Sequence, residues 1–181
     1  MATFRYWDVR GLAEPIHLLL SYLKVPYTEK FFPNLPFFID GDVKIVQSTN
    51  IQSRQIKIIE MIGVINLFRI QIIRLFFNPD FKKLRENYFA SNISGLIKKT
   101  VDFLGQKQFL LDSLTYANFI FYDTIILLFY LYPQSKCQAL IDQAKRFENI
   151  DEIKQYAEIP HSQDKVFFYK IYASWSGPNS D

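Results

Sequence analysis

Cysteine is almost missing from this sequence: Cys137 stands alone. That excludes an intrachain disulfide, a Cys-x-x-Cys redox pair and a cysteine zinc cluster, and leaves Cys137 to be read as inert packing. Histidine is nearly as scarce, and His17 and His161 share no helical or hairpin spacing, so no metal site is expected. No apolar run reaches the ~20 residues of a membrane-spanning helix. The most apolar segment, Phe119 to Tyr132, is interrupted by Asp123 and ended by Pro133; it reads as a buried helix, and no membrane partner is expected. A clustered basic face is absent as well. The net charge of +3 comes from 21 basic and 18 acidic residues spread along the chain. Lys82-Lys83 and Lys98-Lys99 read as solvated helix faces, so no nucleic-acid partner is expected. The opening MATFRYWDVRG lacks the features of a secretory signal, which points to the cytoplasm.

What is present suits a globular protein: 181 residues, 49% hydrophobic and 22% charged, enough for one domain or two small ones. Thr3 to Trp7 is a short β-type run. After a turn at Asp8 to Gly11, the residues Leu12, Ile16, Leu19, Leu20 and Leu23 recur with helical spacing. Pro15 fits the first turn of that helix, where its missing N–H has no intrahelical partner. Tyr27 to Phe32 is a second strand. Phe37-Phe38-Ile39 and Val43 to Val46, separated by Asp40-Gly41-Asp42, suit a hairpin. Ser48 or Thr49 can then cap a helix, with Gln52 completing a capping box from Thr49.

From about Gln55 the periodicity turns helical, through Ile56, Ile59 and Ile62 and on from Ile70 to Phe77. Asn78-Pro79-Asp80 breaks it. Phe81 to Gly105 reads as another helix with defects at Ser94-Gly95. Thr115 is the expected N-cap of the most buried helix, with Leu114 and Phe119 as a hydrophobic staple. Gln138 to Phe147 and Ile150 to Ala157 supply two last helices before an irregular tail. The fold class expected is α+β: an α/β module over residues 1–52 followed by an all-α domain over residues 53–181.

A β-α-β unit followed by a ββ-α unit, with Leu35-Pro36 before the third strand, resembles the thioredoxin-like arrangement, here incomplete. The helical extension makes the whole resemble a glutathione transferase of the mu-like kind. The segments that carry the resemblance are Tyr6 to Ala13, Asn34 to Gly41, Gln47-Ser48, Asn78 to Phe81, Thr115 to Asp123, Arg146-Phe147-Glu148 and Ile153 to Tyr156, colinear over nearly the whole chain. Ala13-Glu14-Pro15-Ile16 also resembles the sigma class, some members of which isomerise prostaglandins. The resemblance implies a detoxifying transferase that joins the thiol of reduced glutathione, a co-substrate rather than a cofactor, to hydrophobic electrophilic small molecules. It also implies a homodimer in which the small domain of one subunit meets the helical domain of the other.

The chemistry follows from the thiol. Its pKa near ~8.5 leaves only a few per cent as thiolate at neutral pH, and a phenolic O–H aimed at the sulfur favours the anion. A drop of about two pKa units corresponds to ~2.7 kcal/mol of differential stabilisation. The resemblance puts Tyr6 in that catalytic role. It puts Trp7, Asn34, Leu35, Pro36, Gln47 and Ser48 around glutathione, with Leu35 pairing like an added strand before a cis Pro36 and Ser48 at a helix N-terminus suited to a carboxylate. Phe77 replaces a family tyrosine beside the second substrate. Asn118 replaces an acid at the helix start, where it can still accept a hydrogen bond.

The chain also departs from the pattern. The helix that holds glutathione's glycyl end in the family has no counterpart between Phe32 and Pro33, and Gly63 to Arg69 lacks the acid offered across the dimer. So short a link after the second strand leads to the expectation that the sheet is rearranged or that this strand is lost into a connection. The segment after Ile51 is compressed too. An impaired, glutathione-transferase-like binding or scaffold protein is the alternative reading.

Overall fold

The computed structural model describes residues 2–6, 8–31, 37–40, 43–46, 56–111, 113–159 and 167. Strand β1 (Ala2–Tyr6) runs into a turn and then helix α1 (Glu14–Tyr22), followed by β2 (Tyr27–Phe31), β3 (Phe37–Asp40) and β4 (Val43–Val46). They form one four-stranded sheet in the order β2-β1-β3-β4. Phe4 and Tyr6, two residues apart and so on one face of β1, are buried with Val9, Ala13 and Leu20.

Helix α1 begins as expected, with Pro15 in its first turn. It ends in a Schellman-type closure: Val25 N–H donates to the Leu20 carbonyl and Lys24 N–H to that of Ser21, both at 3.0 Å. Lys24 takes the left-handed conformation this closure needs, φ 53°.

The expectation of a rearranged sheet or a lost second strand is corrected. β2 pairs parallel to β1 with Phe31 opposite Tyr6, whereas β3 pairs antiparallel with Phe37 opposite Arg5. The end of β2 and the start of β3 therefore lie at the same end of the sheet, about 10 Å apart across β1. A helical crossover is needed only to bring the chain back for a parallel partner, and β2 and β3 run in opposite directions. β3 and β4 form the expected hairpin, Asp40 opposite Val43.

The regular elements described after residue 55 are helical: α2 (Ile56–Ile73), α3 (Phe81–Tyr88), a π-helical turn at Phe89–Ile93, α4 (Ser94–Leu104), α5 (Tyr116–Leu131), a 3-10 turn at Pro133–Ser135, α6 (Gln138–Glu148) and α7 (Asp151–Ala157). Helix α5 is the hub. Its Ile120, Phe121, Ile125, Leu127, Leu128 and Leu131 are buried in the main core with Ile65, Phe68 and Ile72 of α2. Another of its faces puts Phe119 against Leu18 of α1, Phe147 of α6 and Ile153 and Tyr156 of α7, so the sheet module sits on the helical body through α1. Cys137 is half-buried against the main core. No helix among the described residues is long and apolar enough to cross a membrane.

Candidate functional site

Tyr6 closes β1, with its side chain on the buried face and only 7% exposed. The chain then turns back over it. Leu12 N–H donates to the Tyr6 hydroxyl oxygen at 3.0 Å, and Gly11 crosses close to the ring. A methyl at Gly11 would lie 2.6 Å from the hydroxyl oxygen, and Gly11 also has a positive φ of 42°. Glycine is thus required here for both space and backbone conformation. Burial raises the Tyr6 pKa above its ordinary value, against smaller lowering effects from the Leu12 hydrogen bond and from Arg69. The phenol stays protonated at neutral pH. Because Leu12 serves the oxygen as donor, the phenol's own O–H is left to donate elsewhere.

The turn is itself held by charge. Arg69 of α2 donates to the Gly11 carbonyl at 2.6 Å and to Asp123 of α5. Arg10 donates to the other oxygen of Asp123 at 3.0 Å and lies 3.6 Å from Glu14. Tyr156 of α7 donates to Glu14 at 3.2 Å. Two arginines facing two carboxylates make this buried group neutral overall. Phe167 covers it from outside: Arg10 stacks over its ring at 4.7 Å, and its carbonyl accepts from Gly11 N–H at 3.4 Å.

Of the residues expected at the site, Tyr6 is therefore placed against the turn of residues 8–13. Phe77 follows α2 and is 53% exposed. Trp7, Asn34, Leu35, Pro36, Gln47 and Ser48 lie outside the described residues. Sequence reasoning missed Arg10, Glu14, Arg69 and Asp123. The signal was there in Asp123, a carboxylate inside an apolar helix, and in Arg69, set between Phe68 and Ile70: a buried charge must be paired.

Residues 68–159 match the family model described as the C-terminal domain of glutathione S-transferase. Glutathione S-transferase 2 of Gallus gallus is 30% identical over 199 residues, covering 86% of this chain and 89% of that protein. Glutathione S-transferase Mu 2 of Pongo abelii is 32% identical over 212 residues, with 94% and 96% covered. Both alignments are longer than the 181 residues of this chain, so they contain internal positions that it lacks. Among solved structures, a pi-class glutathione S-transferase of Onchocerca volvulus superposes with a TM-score of 0.79 at 19% identity, over 93% of this chain and 98% of that one, a likeness of fold. With the sheet module, the helical body and this sequence identity in agreement, the chain belongs to the glutathione S-transferase family and is a transferase.

Proposed function

We propose that the chain conjugates reduced glutathione to hydrophobic electrophiles, with Tyr6 donating a hydrogen bond that stabilises the glutathione thiolate. The observation that carries this reading is the Tyr6 hydroxyl: buried, kept protonated, and already accepting from Leu12 N–H. The thiol loses its proton to solvent, the sulfur forms the new bond to carbon, and the leaving group departs with its electron pair. Trp7, Asn34, Leu35, Pro36, Gln47 and Ser48 hold glutathione in this reading, and Phe77 offers its half-exposed ring to the second substrate. We place the active form in the cytoplasm, assign it to the mu-like kind, and set the domain boundary at residues 52 and 53.

We further propose a homodimer. Helix α2 carries Val64, Leu67 and Ile70, each more than half exposed, at helical spacing on the side away from Ile65, Phe68 and Ile72. Gly63 beside them has open space around it, which lets a second helix approach closely.

Replacement Tyr6→Phe tests the catalytic assignment. It removes one hydrogen bond and almost no volume, so conjugation to a chloro-nitrobenzene acceptor is expected to fall at least tenfold, the factor given by about 1.4 kcal/mol, with the circular-dichroism spectrum unchanged. Full activity with an unshifted thiol pKa would remove Tyr6 from the role. An inactive parent chain that still binds glutathione would favour the scaffold reading.

A further inference from the structure

Arg69 and Asp123 are 3% and 0% exposed, and a buried ion pair by itself is a poor source of stability, since apolar replacements often do as well. What this pair touches is more informative. One Arg69 nitrogen is committed to Asp123 and to the Thr124 hydroxyl, the latter at 3.4 Å; the other donates to the Gly11 carbonyl at 2.6 Å. That carbonyl belongs to the same peptide unit as Leu12 N–H, the group that donates to the Tyr6 hydroxyl at 3.0 Å. A peptide unit is planar, so fixing the direction of its C=O fixes the direction of its N–H. A cationic donor on the carbonyl also polarises the amide and strengthens its N–H as a donor, because hydrogen bonds in a chain reinforce one another. Asp123 locks the guanidinium in place and, through Arg10 at 3.0 Å, holds the same turn from its other side.

We propose that Arg69, oriented by Asp123, is a positioning residue for thiol activation: it holds the Gly11–Leu12 peptide that aims and polarises the Tyr6 hydroxyl. The helical body thereby reaches into the sheet module's catalytic turn. The inference rests on the assignment of Tyr6 above, and a two-by-two set of variants separates the two.

The measurement is the pKa of enzyme-bound glutathione, from the ultraviolet absorbance of its thiolate at saturating glutathione, for the parent, Arg69→Lys, Tyr6→Phe and the double variant. Lysine keeps the charge but lacks the planar fork that spans Asp123 and Gly11. Arg69→Lys is expected to raise the bound thiol's pKa by about half a unit or more, which is a few-fold loss of thiolate at neutral pH, and to lower kcat more than it changes KM for the electrophile. In the Tyr6→Phe background the same change is expected to have no further effect on the thiol. An unshifted pKa in Arg69→Lys beside a shifted one in Tyr6→Phe overturns the positioning role alone. Equal shifts in both backgrounds overturn it too, since Arg69 then acts on the sulfur without Tyr6. An unshifted pKa in Tyr6→Phe overturns the Tyr6 assignment and this inference with it. Should Arg69→Lys fail to fold, Asp123→Asn, which keeps an acceptor of the same size, carries the test: a smaller rise that depends on Tyr6 supports the role, and no rise overturns it.

Discussion

At Gly11 one residue meets two demands, a left-handed φ of 42° and a passage so close to Tyr6 that a Cβ would stand 2.6 Å from the hydroxyl oxygen. The conformational strain of a non-glycine residue there is about 1–3 kcal/mol, and the contact displaces the Tyr6 hydroxyl as well. Gly11→Ala is therefore expected to lower stability by about 1–3 kcal/mol and to depress conjugation more than that loss explains. Thermal unfolding read beside the conjugation rate of the folded fraction checks this. A variant with parental activity would mean that the turn moves away from Tyr6 without consequence.

At the scale of the element, the ends of two helices carry the informative choices. Lys24 occupies the left-handed position that closes α1, where glycine is the residue without a steric penalty. Lys24→Gly is expected to raise stability by about 0.5–1 kcal/mol after the extra chain entropy of glycine is subtracted. Its exposed ion pair with Glu152 goes at little cost. Equilibrium urea unfolding reads the change, and a lower midpoint would show that the ion pair matters more than the strain. At the start of α5, Thr115 N–H donates to the Asn118 side-chain oxygen at 3.0 Å in a capping box. Asn118→Ala leaves the half-buried Thr115 N–H without this acceptor, and a loss of about 1–2 kcal/mol is expected in the same unfolding measurement. Asparagine thus serves the cap in place of an acid, as its chemistry suggested. The helical irregularity was legible only in kind. It was expected at Ser94-Gly95 and is found at Phe89–Ile93, where Asn92 and Ser94 side chains donate to the carbonyls of Tyr88 and Ala90 and compete with the regular ladder.

Across the whole molecule, helix α5 serves two cores, one shared with α2 and with Leu140 and Ala144 of α6, the other with α1, α7 and Phe147 of α6, and the Arg10–Asp123–Arg69 group ties the turn over Tyr6 to that hub. Among the described residues, the outer face of α2 exposes Val64, Leu67 and Ile70 together. Leu67 is 66% exposed, so Leu67→Glu is expected to leave the subunit's stability within about 0.5 kcal/mol of the parent. In the proposed homodimer the same change puts a carboxylate in an apolar contact, and the sedimentation coefficient at micromolar concentration is expected to fall to that of a monomer. An unchanged dimer would place the interface elsewhere.

The sequence by itself determined the elements and their order. Strands show in the β-type run from Thr3 to Trp7, helices in the spacing from Ile56 onward and from Thr115 onward, and a stop in Asn78-Pro79-Asp80, because these are local properties of side chains and backbone. It also singled out Tyr6 and Asn118, through a resemblance borne by short contiguous segments. Only the tertiary structure decided the rest. Whether β2 survives its short link depended on strand direction, which no local pattern records: with β3 antiparallel to β1, the ends to be joined meet at one end of the sheet. The partners of Asp123 could not be read either, since Arg10 and Arg69 are distant in the chain, and a charge requires a partner without specifying which one. Folding brings them together and so joins Arg69, through one planar peptide, to the hydroxyl of Tyr6.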